Sequence, residues 1–228
     1  MAIEGIDLVV VPDAEAAAAA AAALLVDVAD SDGSLVLAGG STPRRAYELA
    51  AQRHVDWGGA ELWYGDERCV PPTDERSNQR LVQESLLDRV LVPPVVHAIP
   101  TRLAPEAAAS AYDAELRGQI LDLALLGLGP DGHTASLFPN APSLQERERL
   151  AVAAEPGLEP FVERITLTIP ALESAAHVVF LAVGEEKADA ARRAFAEEPS
   201  PATPASLVRS RDGVTTAILD EAAASLLP

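Results

Sequence analysis

Short apolar runs alternate with helix-length segments along the whole of this chain, and that alternation fixes the class of fold open to it. Ile6–Val11 reads as a strand, and Pro12-Asp13 opens an Ala-rich helix to about Ala29. Ser34–Ala38 reads as a second strand. It runs into Gly39-Gly40-Ser41-Thr42-Pro43 and a helix to about Arg53, with Ser41 or Thr42 as cap and Pro43 at or near the first helical position. Glu61–Tyr64 is a third strand, followed by the loop Gly65-Asp66-Glu67-Arg68 and a Pro-rich stretch to Pro72; Ser77 or Asn78 can cap a helix through Leu87. Val95–Ile99, Leu121–Leu126, Leu150–Ala153, Arg164–Ile169, His177–Val183 and Val214–Leu219 read as further strands. Helices are expected at Pro105–Arg117, at Glu185–Ala196 and at the C-terminus. The expectation is an α/β fold, a mostly parallel twisted sheet with helices on both faces.

At 228 residues, with no internal repeat, one domain over 1–228 suffices. Hydrophobic residues make up 49% and aromatics only 4%, so the core is expected to be built from Ala, Val, Leu and Ile. Pro199–Pro204 reads as a surface loop. The net charge of −18 argues against nucleic acid or an anionic membrane as partner. A phosphorylated metabolite can still bind, but only through a local cluster of donors and cations. The Ala16–Val26 run is too short to span a bilayer and lacks a basic flank, so it reads as a helix. Cys69 is alone, which rules out an internal disulfide and points to a cytoplasmic protein. Nothing in the sequence identifies a protein partner.

Three loops after predicted strands carry the chemistry, and in a parallel sheet they leave by the same edge. Gly39–Thr42 places two glycines and two hydroxyls at a helix start, which is either a phosphate cradle or an ordinary capped turn. Asp66-Glu67-Arg68 is either a solvated charge triplet or a guanidinium held by one of its carboxylate neighbours to meet an anion. Asp131-Gly132-His133 is the sharpest: an imidazole can take a proton from water near neutral pH, and a neighbouring carboxylate can orient the ring. Lys187 is the one lysine in the chain, again after a strand and at a helix start. His54, His97 and His177 have no such setting and read as structural or surface residues.

Gly127-x-Gly129-x-x-Gly132 matches a dinucleotide fingerprint but is a decoy. Pro130 removes a backbone N–H, and Pro139 and Pro142 stop any long helix after it. No metal is expected, since His133 has no second histidine at ligand spacing and there is no cysteine cluster. Cys69 reads as a small buried side chain, and the absence of a Gly-x-Ser-x-Gly elbow disfavours a serine hydrolase.

Taken together, these loops resemble the 6-phosphogluconolactonase family. The marks occur in order: LAGGSTP at Leu37–Pro43, GDERCVPP at Gly65–Pro72 with Ser77-Asn78, and LLGLGPDGHTASLFP at Leu125–Pro139. RITLTIPAL at Arg164–Leu172 and GEEK at Gly184–Lys187 continue the series across nearly the whole chain. The resemblance implies the sugar-phosphate isomerase/deaminase fold. It also implies hydrolysis of 6-phospho-D-glucono-1,5-lactone to 6-phosphogluconate with neither metal nor cofactor. On that pattern His133 would be the general base, with Asp131 orienting it. Gly40, Ser41, Thr42, Arg68 and Lys187 would form the anionic subsite, leaving open which cation holds the phosphate and which faces the oxyanion. Gln79 stands where the family often has an aromatic, which could change packing at the pocket rim.

Two other functions compete with lactone hydrolysis. The deaminases of this fold carry a glutamate shortly after the Asp-Gly-His triplet; here Thr134 to Pro142 contains no acid, which favours hydrolysis. A sugar-phosphate sensor would need no base, and Asp131 and His133 count against it.

Overall fold

The structure, a computed structural model, describes residues 2–3, 5–157 and 161–228. The strands are β1 (Ala2–Ile3), β2 (Ile6–Val11), β3 (Ser34–Leu37), β4 (Glu61–Tyr64), β5 (Asp66–Arg68) and β6 (Val95–Val96), then β7 (Leu123–Gly127), β8 (Ala151–Ala154), β9 (Arg164–Leu167), β10 (His177–Ala182) and β11 (Val214–Asp220). The helices are α1 (Ala14–Ala29), α2 (Ser41–Arg53), α3 (Asn78–Ser85), α4 (Pro105–Leu116), α5 (Ile169–Glu173) and α6 (Ala188–Phe195).

Eight strands form one sheet in the order β1-β2-β11-β10-β7-β3-β4-β6, parallel throughout except for β1 against β2. In β3 every residue is buried, and in β7 all but the last. Because successive side chains point to opposite faces, that pattern requires both faces to be covered, as the apolar runs imply. The connections fix the functional edge. From β3 the chain proceeds outward to β4 and β6, whereas from β7 it proceeds the other way, to β10 and β11. The β3–β7 pairing ends at Val36 opposite Ala124, while β7 continues to Gly127, so the two carboxyl ends part at the point where strand order reverses. That is where open α/β sheets bind ligands.

Several expectations are corrected. Asp66–Arg68 is not a loop but β5, the edge of a separate three-stranded antiparallel sheet with β9 and β8. Neither Ser41 nor Thr42 caps α2: Gly40 takes the capping position at φ +108°, and both residues lie inside the helix with Pro43 third. The strand expected over Val95–Ile99 pairs only at Val95–Val96, bounded by Pro93-Pro94 and Pro100. The strand expected over Arg164–Ile169 ends at Leu167, α5 begins at Ile169 in a stretch for which no helix was expected, and residues 185–187 form a 3-10 turn before α6. No C-terminal helix forms: residues 221–226 make turns after Asp220. The Pro199–Pro204 segment is only partly a surface loop, since Thr203 and Pro204 are buried.

Aromatics also enter the core, against the compositional expectation. Trp57, Trp63, Tyr47, Tyr64, Tyr112 and Phe180 are among its largest fully buried side chains. Two of them finish the strands that lead to the functional edge. The Tyr47 hydroxyl accepts from Ala38 N at 2.9 Å and donates to Ala38 O at 2.7 Å. Tyr112 accepts from Tyr64 N at 2.7 Å and donates to Tyr64 O at 3.2 Å. Both satisfy backbone groups that would otherwise be buried unpaired.

Candidate active site

A cleft of about 230 Å³ opens at the parted ends of β3 and β7. One wall is Ala38, Gly39 and Gly40; another is Gly127–Pro130 with His133. Arg68, Arg164 and Lys187 enter it from β5, β9 and the turn before α6. Gly40, Arg68, His133 and Lys187 are thus brought together as the sequence reading expected. Ser41 and Thr42 stand beside the cleft, at the first positions of α2, rather than in its wall. No side chain caps that helix. The leading N–H groups of α2, at Ser41 and Thr42, therefore have no side-chain acceptor and form the positive end of the helix dipole.

The loop after β7 builds a fixed imidazole. Gly132 N donates to Gly129 O at 2.9 Å, and Gly129 N donates to His133 O at 2.8 Å, closing a tight turn. Thr134 Oγ1 donates to Gly127 O at 2.8 Å and ties the loop to the strand end. Asp131 Oδ1 accepts from His133 N at 3.1 Å and lies 2.5 Å from His133 Nδ1. An ionised carboxylate can only accept, so Nδ1 carries the proton and Nε2 is left with the lone pair. Burial alone would push the Asp131 carboxyl up, but the hydrogen bond and charge of His133 outweigh it and hold Asp131 below the usual carboxylate range. Asp131 itself does not line the cleft; it acts on it through His133.

The cationic side was only half legible. Arg68 and Arg164 are direct cross-strand partners in the β5–β9 ladder. Like charges in that relation repel and destabilise a sheet, so the pair has an evident use only where an anion binds between or above them. Arg164, absent from the sequence-based site, is 4% exposed and lies 5.4 Å over the Phe138 ring. Burial lowers its affinity for a proton, Asp66 opposes that, and Arg68 adds to it. The signal that could have found it is an arginine opening an otherwise uncharged strand, Ile165-Thr166-Leu167.

Arg68 is not held by Asp66 or Glu67, as had been expected; its NH1 donates to Arg76 O at 2.6 Å. Glu67 is structural, whereas Asp66 also lines the cleft and offsets part of its positive charge. Glu67, fully buried, accepts from the backbone N of Arg68 (2.7 Å), Asn78 (2.8 Å) and Gln79 (2.7 Å) and from Ser77 Oγ (2.9 Å). Burial nevertheless pushes its carboxyl up. Asp66 accepts from Ser136 Oγ at 2.6 Å and from Asn78 Nδ2 at 3.0 Å, fastening β5 to the segment that follows His133.

The remaining candidates stay outside. His54 contacts Asp30, and His97 stacks on Trp63 between Glu61 and Glu115; His177 bonds Thr216. Cys69 is half-buried rather than buried, and desolvation, then Glu163 and Glu67, push its thiol up to about 11. Gln79 lines a different cavity, with Nε2 donating to Ile99 O at 2.8 Å, so it does not shape the rim of the cleft. Among the described residues no group of three or more His, Cys, Asp or Glu side chains is arranged to hold a metal ion. No described helix is long and apolar enough to cross a membrane.

Residues 12–217 match the family described as glucosamine-6-phosphate isomerases/6-phosphogluconolactonase. A 6-phosphogluconolactonase of Streptomyces coelicolor is 38% identical over 232 residues, spanning 95% of this chain and 85% of the relative. Among solved structures, 6-phosphogluconolactonase from Trypanosoma cruzi superposes with a TM-score of 0.86 at 27% identity, covering 97% of each chain. A monomeric glucosamine-6-phosphate deaminase superposes with a TM-score of 0.81 at 20% identity, covering 97% of this chain and all of that one, a likeness of fold alone.

Proposed function

The chain belongs to the family of glucosamine-6-phosphate isomerases and 6-phosphogluconolactonases, and we propose that it hydrolyses 6-phospho-D-glucono-1,5-lactone to 6-phosphogluconate, the lactone-opening step of the pentose phosphate pathway. The observation that carries this reading is a base and three cations meeting in one cleft of a chain whose net charge is −18. At long range such a chain repels a phosphorylated substrate. Only a local excess of positive groups can hold one.

His133 Nε2 takes a proton from a water molecule as that water attacks the lactone carbonyl. The tetrahedral oxyanion collapses, the ring C–O bond breaks, and the imidazolium returns the proton to the departing ring oxygen. Asp131 holds the ring in the required tautomer and steadies the imidazolium charge. A positioned base contributes on the order of 10²–10⁴-fold, and donors aimed at the oxyanion contribute several kcal/mol more, ~3 per donor. A ring ester needs no covalent nucleophile at that level of assistance. Arg68, Arg164 and Lys187, with the leading amides of α2 at Ser41 and Thr42 after Gly40, divide the phosphate and the oxyanion between them. One domain over 1–228 carries the whole reaction, without metal or cofactor, and the lone Cys69 fits a cytoplasmic setting. The missing acid between Thr134 and Pro142 favours the hydrolase over the deaminase chemistry of the same fold.

The test gives purified protein and chelator freshly made phosphogluconolactone and follows acid release above the spontaneous rate, with glucosamine 6-phosphate in a parallel assay for ammonia. Lactone opening that survives the chelator, with no ammonia, is expected. Ammonia release without lactone opening would reassign the chain to the deaminases, and loss of activity to the chelator would restore a metal to the mechanism.

A further inference from the structure

We propose that Arg193, which lies outside the cleft, is a positioning residue for the Asp131–His133 pair, acting through the backbone that carries them; this rests on the lactonase reading above. Arg193 sits in the second turn of α6, with its Nε donating to Asp189 Oδ2 at 2.8 Å one turn earlier. The rest of the guanidinium reaches across to the loop after β7. NH2 donates to Pro130 O at 3.1 Å, and NH1 donates to Asp131 O at 3.3 Å and to Thr203 Oγ1 at 2.8 Å. The far side of the same turn is closed by Ala205 N, which donates to Gly132 O at 3.0 Å.

Three successive carbonyls, Pro130 to Gly132, are therefore gripped from outside the loop. Fixing a carbonyl fixes the peptide plane, and two consecutive planes fix the φ and ψ between them. The planes held here bracket Asp131, the residue that orients His133. A planar guanidinium with several donors in a fixed fork can span two carbonyls and a hydroxyl at once, which an ammonium cannot. The arrangement also gives the Pro199–Pro204 segment a use. Its buried Thr203 completes the clamp and is otherwise a polar side chain with no role at the cleft. Because α6 follows Lys187 directly, one short helix connects a cation of the cleft to the loop of the base.

The experiment measures kcat, KM and thermal midpoint for the wild type, Arg193→Ala, Arg193→Lys and Thr203→Val. Misplacing a reacting group by about 1 Å costs up to ~10²-fold. Arg193→Ala is expected to lose about tenfold or more in kcat with KM within about twofold, since no group that touches substrate is removed. Arg193→Lys should recover little. Added guanidinium at low concentration should restore part of the Arg193→Ala rate, where equal sodium chloride does not. Thr203→Val should show a smaller fall of the same kind, and it carries the test if Arg193→Ala does not fold. A folded Arg193→Ala with unchanged kcat, or a loss confined to KM, overturns the inference while leaving the lactonase reading intact. A wild type without lactonase activity overturns that reading itself.

Discussion

Gly129 leaves no room for a side chain: a Cβ there would fall 2.0 Å from His133 Nδ1 and 2.6 Å from Asp131 Oδ1. The glycine in front of the catalytic pair is thus a matter of space for the imidazole. Gly129→Ala should displace His133, lowering kcat by more than about tenfold while the chain still folds; a circular dichroism melt alongside the rate assay separates the two effects. Asp131, Arg68, His133 and Lys187 were all legible before the structure, since each is a chemically distinctive residue just past a predicted strand, although Arg68 itself lies in β5. Arg164 was not. It opens a strand and does not follow one, and its use becomes visible only when β5 sets Arg68 opposite it. Cross-strand pairing over that separation has no trace in a local window.

The strands that end at the cleft are closed by side chains from helices. Tyr47 on α2 saturates Ala38 and Tyr112 on α4 saturates Tyr64, and both phenols are pushed far up by burial, so they remain neutral hydrogen-bonding groups. Tyr47→Phe leaves the buried Ala38 N–H without its partner. A loss of about 1–3 kcal/mol in unfolding free energy is expected from equilibrium denaturation; a neutral substitution would mean that water replaces the hydroxyl. The βα alternation was legible because parallel strands buried on both faces read as continuous apolar runs, as in β4, which falls where expected; β2 also falls where expected, as an apolar run that the sheet leaves half exposed. β5 was hidden because Asp-Glu-Arg has poor strand propensity. It pairs because Glu67 has its oxygens satisfied by four donors and Asp66 is fastened to Ser136. The helix cap was misread for a simpler reason: Ser41 and Thr42 are good cappers, but Gly40, at φ +108°, had already taken the turn.

Electrostatics over the entire molecule set its response to pH. Asp74, Glu84, Asp131 and Asp189 are held below the ordinary carboxylate range by arginine or histidine partners. Glu146 is drawn down to about 2 by the backbone N–H of Glu148 first and by Arg149 next. A group with a depressed folded value stabilises the fold above its unfolded value, near pH 4, and loses that contribution as pH falls through the folded one. Glu67, raised by burial, has the opposite sign: its contribution is present at low pH and lost as pH rises through its folded value. Several depressed carboxylates against one raised carboxylate predict that the denaturant midpoint falls between about pH 4 and pH 2, modestly because most of these ion pairs are exposed. A midpoint that held steady there would mean the ion pairs contribute nothing. At neutral pH the net charge of −18 adds self-repulsion, so moderate salt should raise the thermal midpoint.

Lactone opening in this cleft depends most on His133 as the base. The direct measurement is kcat for His133→Ala on freshly made 6-phosphogluconolactone, with 6-phosphogluconate inhibition measured on the same preparation. A loss of at least about a hundredfold in kcat, within the range a general base supplies, with inhibition by the product little changed, is the predicted result. Turnover equal to that of the wild type would contradict it and remove His133 from the chemistry.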